Sequence, residues 1–344
     1  MKASYKKHLL HFKKPGGTSR GVLHTKETWF LEIGDKNRKG VGECGLLRGL
    51  SIDDRPDYEE KLQWVCDNID LGEEALYESL TEFPSIQAGL ETAFLSLKAK
   101  NPFIIFPSEF TDGKAQIPIN GLVWMGDKEF MHTQIREKID AGFKCIKMKI
   151  GAIDFDTELE LLTSIRKEFS SEEIELRVDA NGAFAPTEAL EKLKQLSALE
   201  LHSIEQPIKA GQWEAMASLC EKTPLPIALD EELIGVFELE EKKVLLQTIK
   251  PQYIILKPSL IGGFRGSDSW IGLAEEQGCG WWITSALESN IGLNAIAQYT
   301  FTKNNPMPQG LGTGSLYTNN ITSPLEVKGQ YLSYNPSLEW NYEF

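Results

Sequence analysis

Ile146-Lys147-Met148-Lys149, Leu176-Arg177-Val178-Asp179, Ser203-Ile204-Glu205, Ile227-Ala228-Leu229-Asp230 and Ile254-Ile255-Leu256-Lys257 share one design, an apolar run that ends in a charged residue. From Lys149 through Asp179, Glu205 and Asp230 to Lys257, the closing residues are 30, 26, 25 and 27 positions apart. One strand plus one helix occupies that length, so the period reads as a βα unit. Alternate residues of a strand face the same side. Lys147 and Lys149 therefore point one way while Ile146, Met148 and Ile150 point the other, and Arg177, Asp179 and Asn181 separate from Leu176, Val178 and Ala180 in the same manner. A closed parallel barrel, covered outside by helices, would gather all these charged strand ends at one mouth. Such a mouth suits metal binding and acid–base chemistry.

Working outward, the alternation of short strands with helical patterns starts at Ile117-Pro118-Ile119-Asn120. Strand seven reads as Trp281-Trp282-Ile283-Thr284 and strand eight as about Gln309–Thr313. Residues 1–112 do not follow the period. Alternation over Val22–Ile33 predicts antiparallel strands, a helix is expected near 57–68, and another begins after Phe83-Pro84-Ser85 with Ile86, Leu90, Ala93, Phe94 and Leu97 on one face. The expected class is α/β: a TIM-like (β/α)7β barrel over 113–315 with an α+β capping domain over 1–112, to which 316–344 returns. Two glycine-bearing cap loops, Lys14-Pro15-Gly16-Gly17-Thr18-Ser19-Arg20 and Gly42-Glu43-Cys44-Gly45-Leu46-Leu47-Arg48-Gly49, are candidates for lids that reach the mouth.

Lys plus Arg total 36 against 50 Asp plus Glu, a net charge of −14. An acidic surface repels phosphate backbones and anionic membranes, which argues against nucleic acid and lipid partners. Five cysteines, Cys44, Cys66, Cys145, Cys220 and Cys279, are scattered without CxxC spacing, so neither a disulfide framework nor a zinc site is expected, and a reducing cytoplasm fits. The N-terminal stretch Met1 to His8 lacks the apolar core of a signal peptide, and no apolar run approaches the roughly 18 residues needed to span a bilayer. Oligomeric state is not readable from these features.

The lysine pair Lys147-x-Lys149, the series Asp179, Glu205, Asp230 and the later Lys257 resemble, in order and spacing, the motif of the enolase superfamily, in the subgroup named for muconate lactonizing enzyme. Gly40-Val41-Gly42-Glu43 and the Pro84-Ser85…Glu91 helix match as well. Within the subgroup, Thr18-Ser19-Arg20-Gly21-Val22, Ser285-Ala286-Leu287-Glu288-Ser289-Asn290-Ile291-Gly292-Leu293 and Gly310-Leu311-Gly312-Thr313 resemble the o-succinylbenzoate synthase family of menaquinone biosynthesis. That likeness implies a carbon–oxygen lyase acting on a small carboxylate by syn dehydration of 2-succinyl-6-hydroxy-2,4-cyclohexadiene-1-carboxylate. One departure is Asp230-Glu231-Glu232, where many relatives carry Asp-Glu-Ser, which leaves open whether Glu231 or Glu232 joins the outer shell of the site.

Three carboxylates at a barrel mouth suit a hard dication that keeps open positions, so Mg²⁺, with Mn²⁺ as a substitute, is favoured over zinc. The resemblance implies that Asp179, Glu205 and Asp230 are its ligands. Removing a proton α to a carboxylate creates an enediolate with two negative charges, which only concentrated positive charge makes accessible. A lysine base beside Mg²⁺ is a pattern established for the enolase superfamily. Lys149 is assigned as the base, Lys147 as the neighbouring charge that lowers its pKa, and Lys257, across the barrel, as the cation that stabilises the enediolate. Arg20, Asn181, Ser285, Gly312 and Thr313 are substrate-contact candidates; Asn181 reads equally as an orienter of Asp179 or a cap, and Glu288 as a helix-start residue. Leu46, Leu47 and Leu50 read as a lid over an apolar substrate or as interlobe packing.

Racemisation of N-succinylated amino acids or epimerisation of dipeptides is the competing chemistry, with lysines on both faces exchanging the α-proton. Dipeptide epimerases of the subgroup present Asp-x-Asp near strand eight, whereas residues 308–325 contain no acid here. A non-catalytic barrel is a third reading, opposed by five polar positions that are costly to bury without purpose.

Overall fold

The computed structural model describes residues 1–18 and 21–344. Three antiparallel strands, β1 (Lys2–Thr18), β2 (Gly21–Gly34) and β3 (Lys39–Cys44), open the chain, in the order β1-β2-β3. The first glycine loop is thus largely strand: Gly16 and Gly17 pair with Leu23 and Val22. Three helices follow, α1 (Tyr58–Asp67), α2 (Glu73–Glu78) and α3 (Pro84–Lys98). Helix α3 is buried on nearly every side, with Ile86, Leu90 and Ala93 fully enclosed. Glycine makes its contact with β3 possible, since a Cβ on Gly42 would stand 1.9 Å from the Gly89 carbonyl oxygen.

A short strand β4 (Gln116–Pro118) leads into the βα series. Its members are β5 (Gly121–Val123), α4 (Lys128–Asp140), β6 (Cys145–Lys149), α5 (Phe155–Glu168), β7 (Glu175–Asp179), α6 (Pro186–Ser197) and β8 (Ser203–Glu205). It continues with α7 (Trp213–Lys222), β9 (Ile227–Leu229), α8 (Leu239–Ile249), β10 (Tyr253–Leu256), α9 (Gly263–Glu276), β11 (Gly280–Ile283) and α10 (Asn290–Thr302). Strands β5 to β11 form one parallel sheet in sequence order, with each strand hydrogen-bonded to the next. Residues 309 and 310 close the ring, Gln309 bridging Ile119 and Gly310 bridging Thr284, both in parallel. The final stave is therefore shorter than the five residues expected. A Cβ on Gly310 would stand 2.0 Å from Thr284 Oγ1, so the closing contact is made backbone against side chain.

The expected first strand also divides. Gln116–Pro118 pairs antiparallel with β13 (Tyr331–Tyr334), itself paired with β12 (Leu325–Lys328), while the parallel stave is β5. The C-terminal segment touches both lobes: Tyr317 bridges Phe12, and Trp340, Tyr342 and Phe344 cluster with Phe30 and Phe103. The largest apolar core lies between barrel and helices, and a second fills the cap around Trp29, Tyr58 and Leu90. All five cysteines are buried and free. Among the described residues, no helix is long and apolar enough to cross a membrane.

Candidate active site

Register turns the sequence period into a site. Lys149 of β6 pairs with Asp179 of β7, which pairs with Glu205 of β8. Asp230 directly follows β9 and Lys257 directly follows β10, so all five closing residues stand at the carboxyl-terminal rim of adjacent staves. Their side chains meet. Lys147 Nζ donates to Asp179 Oδ2 at 3.1 Å and to Glu205 Oε2 at 2.5 Å. Lys149 Nζ donates to the same Asp179 Oδ2 at 2.8 Å and to Asn181 Oδ1 at 2.8 Å. Lys257 is ion-paired with Asp230. The two lysine groups thus approach the carboxylates from opposite ends of the series.

Asn181 takes up a left-handed backbone (φ 44°), which asparagine tolerates better than most residues, and its N–H caps Asp179 Oδ1 at 3.0 Å. Its amide also donates to Glu231 Oε1 at 3.0 Å, so Asn181 ties Lys149, Asp179 and Glu231 together. The two acids that follow Asp230 therefore part company. Glu232 turns away, accepting from Gln206 Nε2 at 3.0 Å and from the Gly211 N–H at 2.7 Å, and braces the loop after β8.

Burial penalises charge throughout this cluster, and the neighbouring charges decide which groups keep theirs. Desolvation opposes the Lys147 ammonium, but Asp179, Glu205 and Asp230 outweigh it and hold its pKa above the ordinary lysine range. Lys257 is likewise raised, against desolvation, by Asp230, Glu205 and Glu231. Burial would lift the Asp179 carboxyl, yet Lys147, Lys149 and Lys257 hold it far below the usual carboxylate range. Glu205 goes the other way, pushed well above that range by burial and then by the Asp179 charge.

Three buried acids with one carboxyl crowded toward neutrality form a set that a dication would relieve. Glu205 Oε1 is buried without a hydrogen-bond partner, an acceptor suited to a cation. The donor set is all oxygen, which fits a hard dication rather than zinc. Among the described residues no group of three acidic, His or Cys side chains is already placed to hold a metal ion, and Lys147 is ion-paired with both Asp179 and Glu205.

Above the rim lies a cavity of about 590 Å³ bounded by Lys149, Asp179, Asn181 and Lys257 on the polar side. Leu47, Leu50, Leu122, Trp124 and Leu287 supply an apolar wall, which suits a ring-bearing carboxylate. Leu46, by contrast, belongs to the cap core. Ser285, Gly312 and Thr313 all border the cavity. The Ser285 hydroxyl, however, donates to Glu288 Oε2 at 2.6 Å and accepts from Thr313 Oγ1 at 2.9 Å and from the Leu287 N–H at 3.0 Å. Its hydrogen bonds go to its own loop and to Thr313 beyond the last stave. Arg20 lies outside the described residues. Sequence reading missed Trp124 and Leu122 as lining residues; the first barrel stave was placed a few residues early, so its rim was not recognised.

The Enolase C-terminal domain-like family model matches residues 131–336. The o-succinylbenzoate synthase of Desulfotalea psychrophila is 47% identical over 96% of this chain and 98% of that relative. The chain belongs to the enolase superfamily. A crystal structure of MenC from Desulfotalea psychrophila superposes with a TM-score of 0.86 at 43% identity, covering 97% of this chain and 99% of that one. More distant relatives within the superfamily include the N-succinylamino acid racemase of Thermus thermophilus, 30% identical over 80% of this chain and 75% of that protein. The L-Ala-D/L-Glu epimerase of Bacillus subtilis shares the fold at a TM-score of 0.83 and 22% identity, covering 97% of this chain and 96% of that one. Members of the superfamily act with a divalent metal and a small-molecule substrate.

Proposed function

We propose that the chain is an o-succinylbenzoate synthase, a hydro-lyase of menaquinone biosynthesis that dehydrates 2-succinyl-6-hydroxy-2,4-cyclohexadiene-1-carboxylate. The observation that carries this reading is the 47% identity to a synthase along nearly the whole of both chains. Asp179, Glu205 and Asp230 would hold Mg²⁺, or Mn²⁺ in its place. When bound, the dication supplies positive charge against the negative charge that develops on the substrate carboxylate.

Lys149 takes the α-proton, and the C–H electron pair passes into the carboxylate to give the enediolate. Asn181 holds the Lys149 amine in place, since their hydrogen bond is 2.8 Å. Collapse of the enediolate then breaks the C–O bond. Lys149 returns its proton to the departing hydroxyl, so water leaves from the face that lost the proton. Lys257 remains cationic opposite, a role supported by the Asp230, Glu205 and Glu231 charges that favour its ammonium form. Lys147 is a fixed cation beside the base.

The test is turnover of the diene by the purified protein with Mg²⁺, followed as formation of the aromatic product. Full activity after exhaustive chelation would sink the metal assignment, and no aromatisation under any metal would sink the synthase reading. N-succinylamino acid racemisation is the second reading, favoured by the Thermus thermophilus relative and by lysines at both ends of the acid series. Rapid α-deuterium uptake by an N-succinyl amino acid in heavy water, without diene turnover, would select it. The five cysteines, all free and buried, support a cytoplasmic location.

A further inference from the structure

Glu288 is completely buried at the seam between cap and barrel, in the loop that joins β11 to α10. A helix-start role does not account for it, because Ser289 is the residue that caps α10, its side chain accepting from the Ile291 N–H. Both Glu288 oxygens are engaged elsewhere: Oε1 accepts from Ser259 Oγ and Oε2 from Ser285 Oγ, each at 2.6 Å. The surroundings leave room for this carboxylate. A Cβ on Gly45 of the cap would stand 3.0 Å from Glu288 Cγ, and one on Gly292 of α10 would stand 2.9 Å from Glu288 Cβ.

Direction follows from the chemistry. Ser285 has one proton and gives it to Glu288, so it can only accept from Thr313 and from the Leu287 N–H. Leu287 adopts a left-handed backbone (φ 66°), rare for a non-glycine residue, and is held from its other side by Tyr317, whose hydroxyl donates to the Leu287 carbonyl at 2.7 Å. Ser285, Leu287 and Thr313 all face the cavity. Strain held at a ligand-facing wall, with a buried, doubly hydrogen-bonded carboxyl group enforcing it, is a feature to be expected of a specificity element.

We propose that Glu288 is a positioning residue which, through the Ser285 hydroxyl, locks Leu287 in its strained conformation and so sets the width of the substrate cavity. The cap takes part as well. Lys26 of β2 is buried and makes no hydrogen bond among the described residues; burial holds its pKa below the ordinary lysine range, and the nearby Glu43 and Glu288 carboxylates oppose that only in part. Glu43 is itself held by the Ser289 and Gly292 N–H groups, each at 2.8 Å, so the wall is buttressed from both lobes. Which molecule the wall selects rests on the synthase reading above; its existence does not.

The experiment is a double-mutant cycle of Glu288→Gln and Ser285→Ala in the full chain. It is read by amide exchange over residues 284–289, by KM against kcat for the diene, and by binding of o-succinylbenzoate against benzoate. Each single variant should speed exchange at Leu287 about tenfold and raise KM more than it lowers kcat, and the double variant should be no worse than about either single, because both act on one linkage. Discrimination between the two carboxylates should shrink in parallel. Additive effects, or variants that melt earlier while keeping wild-type exchange and kinetics, would overturn the proposal. If the wild type fails to turn over the diene, the synthase reading falls and the exchange data alone decide on the wall. If Glu288→Gln does not fold, the cycle of Ser285→Ala with Thr313→Val tests the same linkage at its other end.

Discussion

Lys147 is the residue on which the electrostatics of the mouth turn. Its ammonium bridges Asp179 and Glu205, and both acids are almost wholly enclosed. Lys147→Met should therefore cost about 3 kcal/mol of stability in metal-free protein, the penalty for stranding buried carboxylates. A dication binds only the folded site, so Mg²⁺ should recover much of the loss and raise the denaturant midpoint of the variant more than that of the wild type. Equal Mg²⁺ responses in the two proteins would show that the three acids are not its ligands. At the other lysines, shape and titration separate the roles. Lys149→Arg cannot become neutral at any useful pH and should be inert, whereas Lys257→Arg keeps a cation and should retain a trace of turnover. Robust turnover by Lys149→Arg would mean that another group is the base.

Between elements, two cap carboxylates do work that helices usually do for themselves. Glu91 of α3 accepts from the Phe264 and Arg265 N–H groups at the start of α9, at 2.6 and 3.2 Å, and Glu43 of β3 does the same for α10. Burial pushes the Glu91 carboxyl up to about 7, its backbone donors and Arg265 notwithstanding. Because the folded value lies above the unfolded one, the folded state binds the extra proton. The contribution of Glu91 is fully present below the unfolded pKa near 4.5 and is lost as pH rises through 7. The loss amounts to up to about 3 kcal/mol. Glu91→Gln, already neutral, should thus destabilise more at pH 5 than at pH 8, as read by chemical unfolding at the two values. A penalty that does not change with pH would remove Glu91 as the source. In the hairpin, Gly17 lies against the barrel loop so closely that a Cβ would stand 2.3 Å from the Met125 carbonyl oxygen. Gly17→Ala should lift the hairpin from that loop and raise KM, while leaving overall stability within about 1 kcal/mol. An unchanged KM would show that the hairpin does not close on substrate.

Across the whole molecule, these carboxylate clasps and the C-terminal segment tie the cap to the barrel. Tyr342 donates to Glu32 of the cap, while Tyr334 packs in the barrel core. Cap and barrel should consequently unfold in one calorimetric transition, and a chain ending at residue 315 should not give a folded barrel. Two resolved transitions would show that the lobes are independent. The repeat of apolar runs ending in charge was enough to place Lys147, Lys149, Asp179, Glu205, Asp230 and Lys257 on or directly after successive strands, because a strand's period of two and a βα unit's length are local properties. Composition likewise spoke against nucleic acid, through a net charge of −14. Local pattern was not enough for the rest. The division of the segment from Gln116 to Val123 between two sheets, the reduction of the last stave to Gln309 and Gly310, and the separate fates of Glu231 and Glu232 depend on partners distant in the chain. So does the meaning of Glu288, whose neighbours Gly45 and Ser259 come from two other segments and whose partner Ser285 is met by Thr313 from a third. Periodicity fixes which side of its own strand a residue faces; only the closing of the barrel and the seating of the cap decide which charges and hydroxyls it meets there.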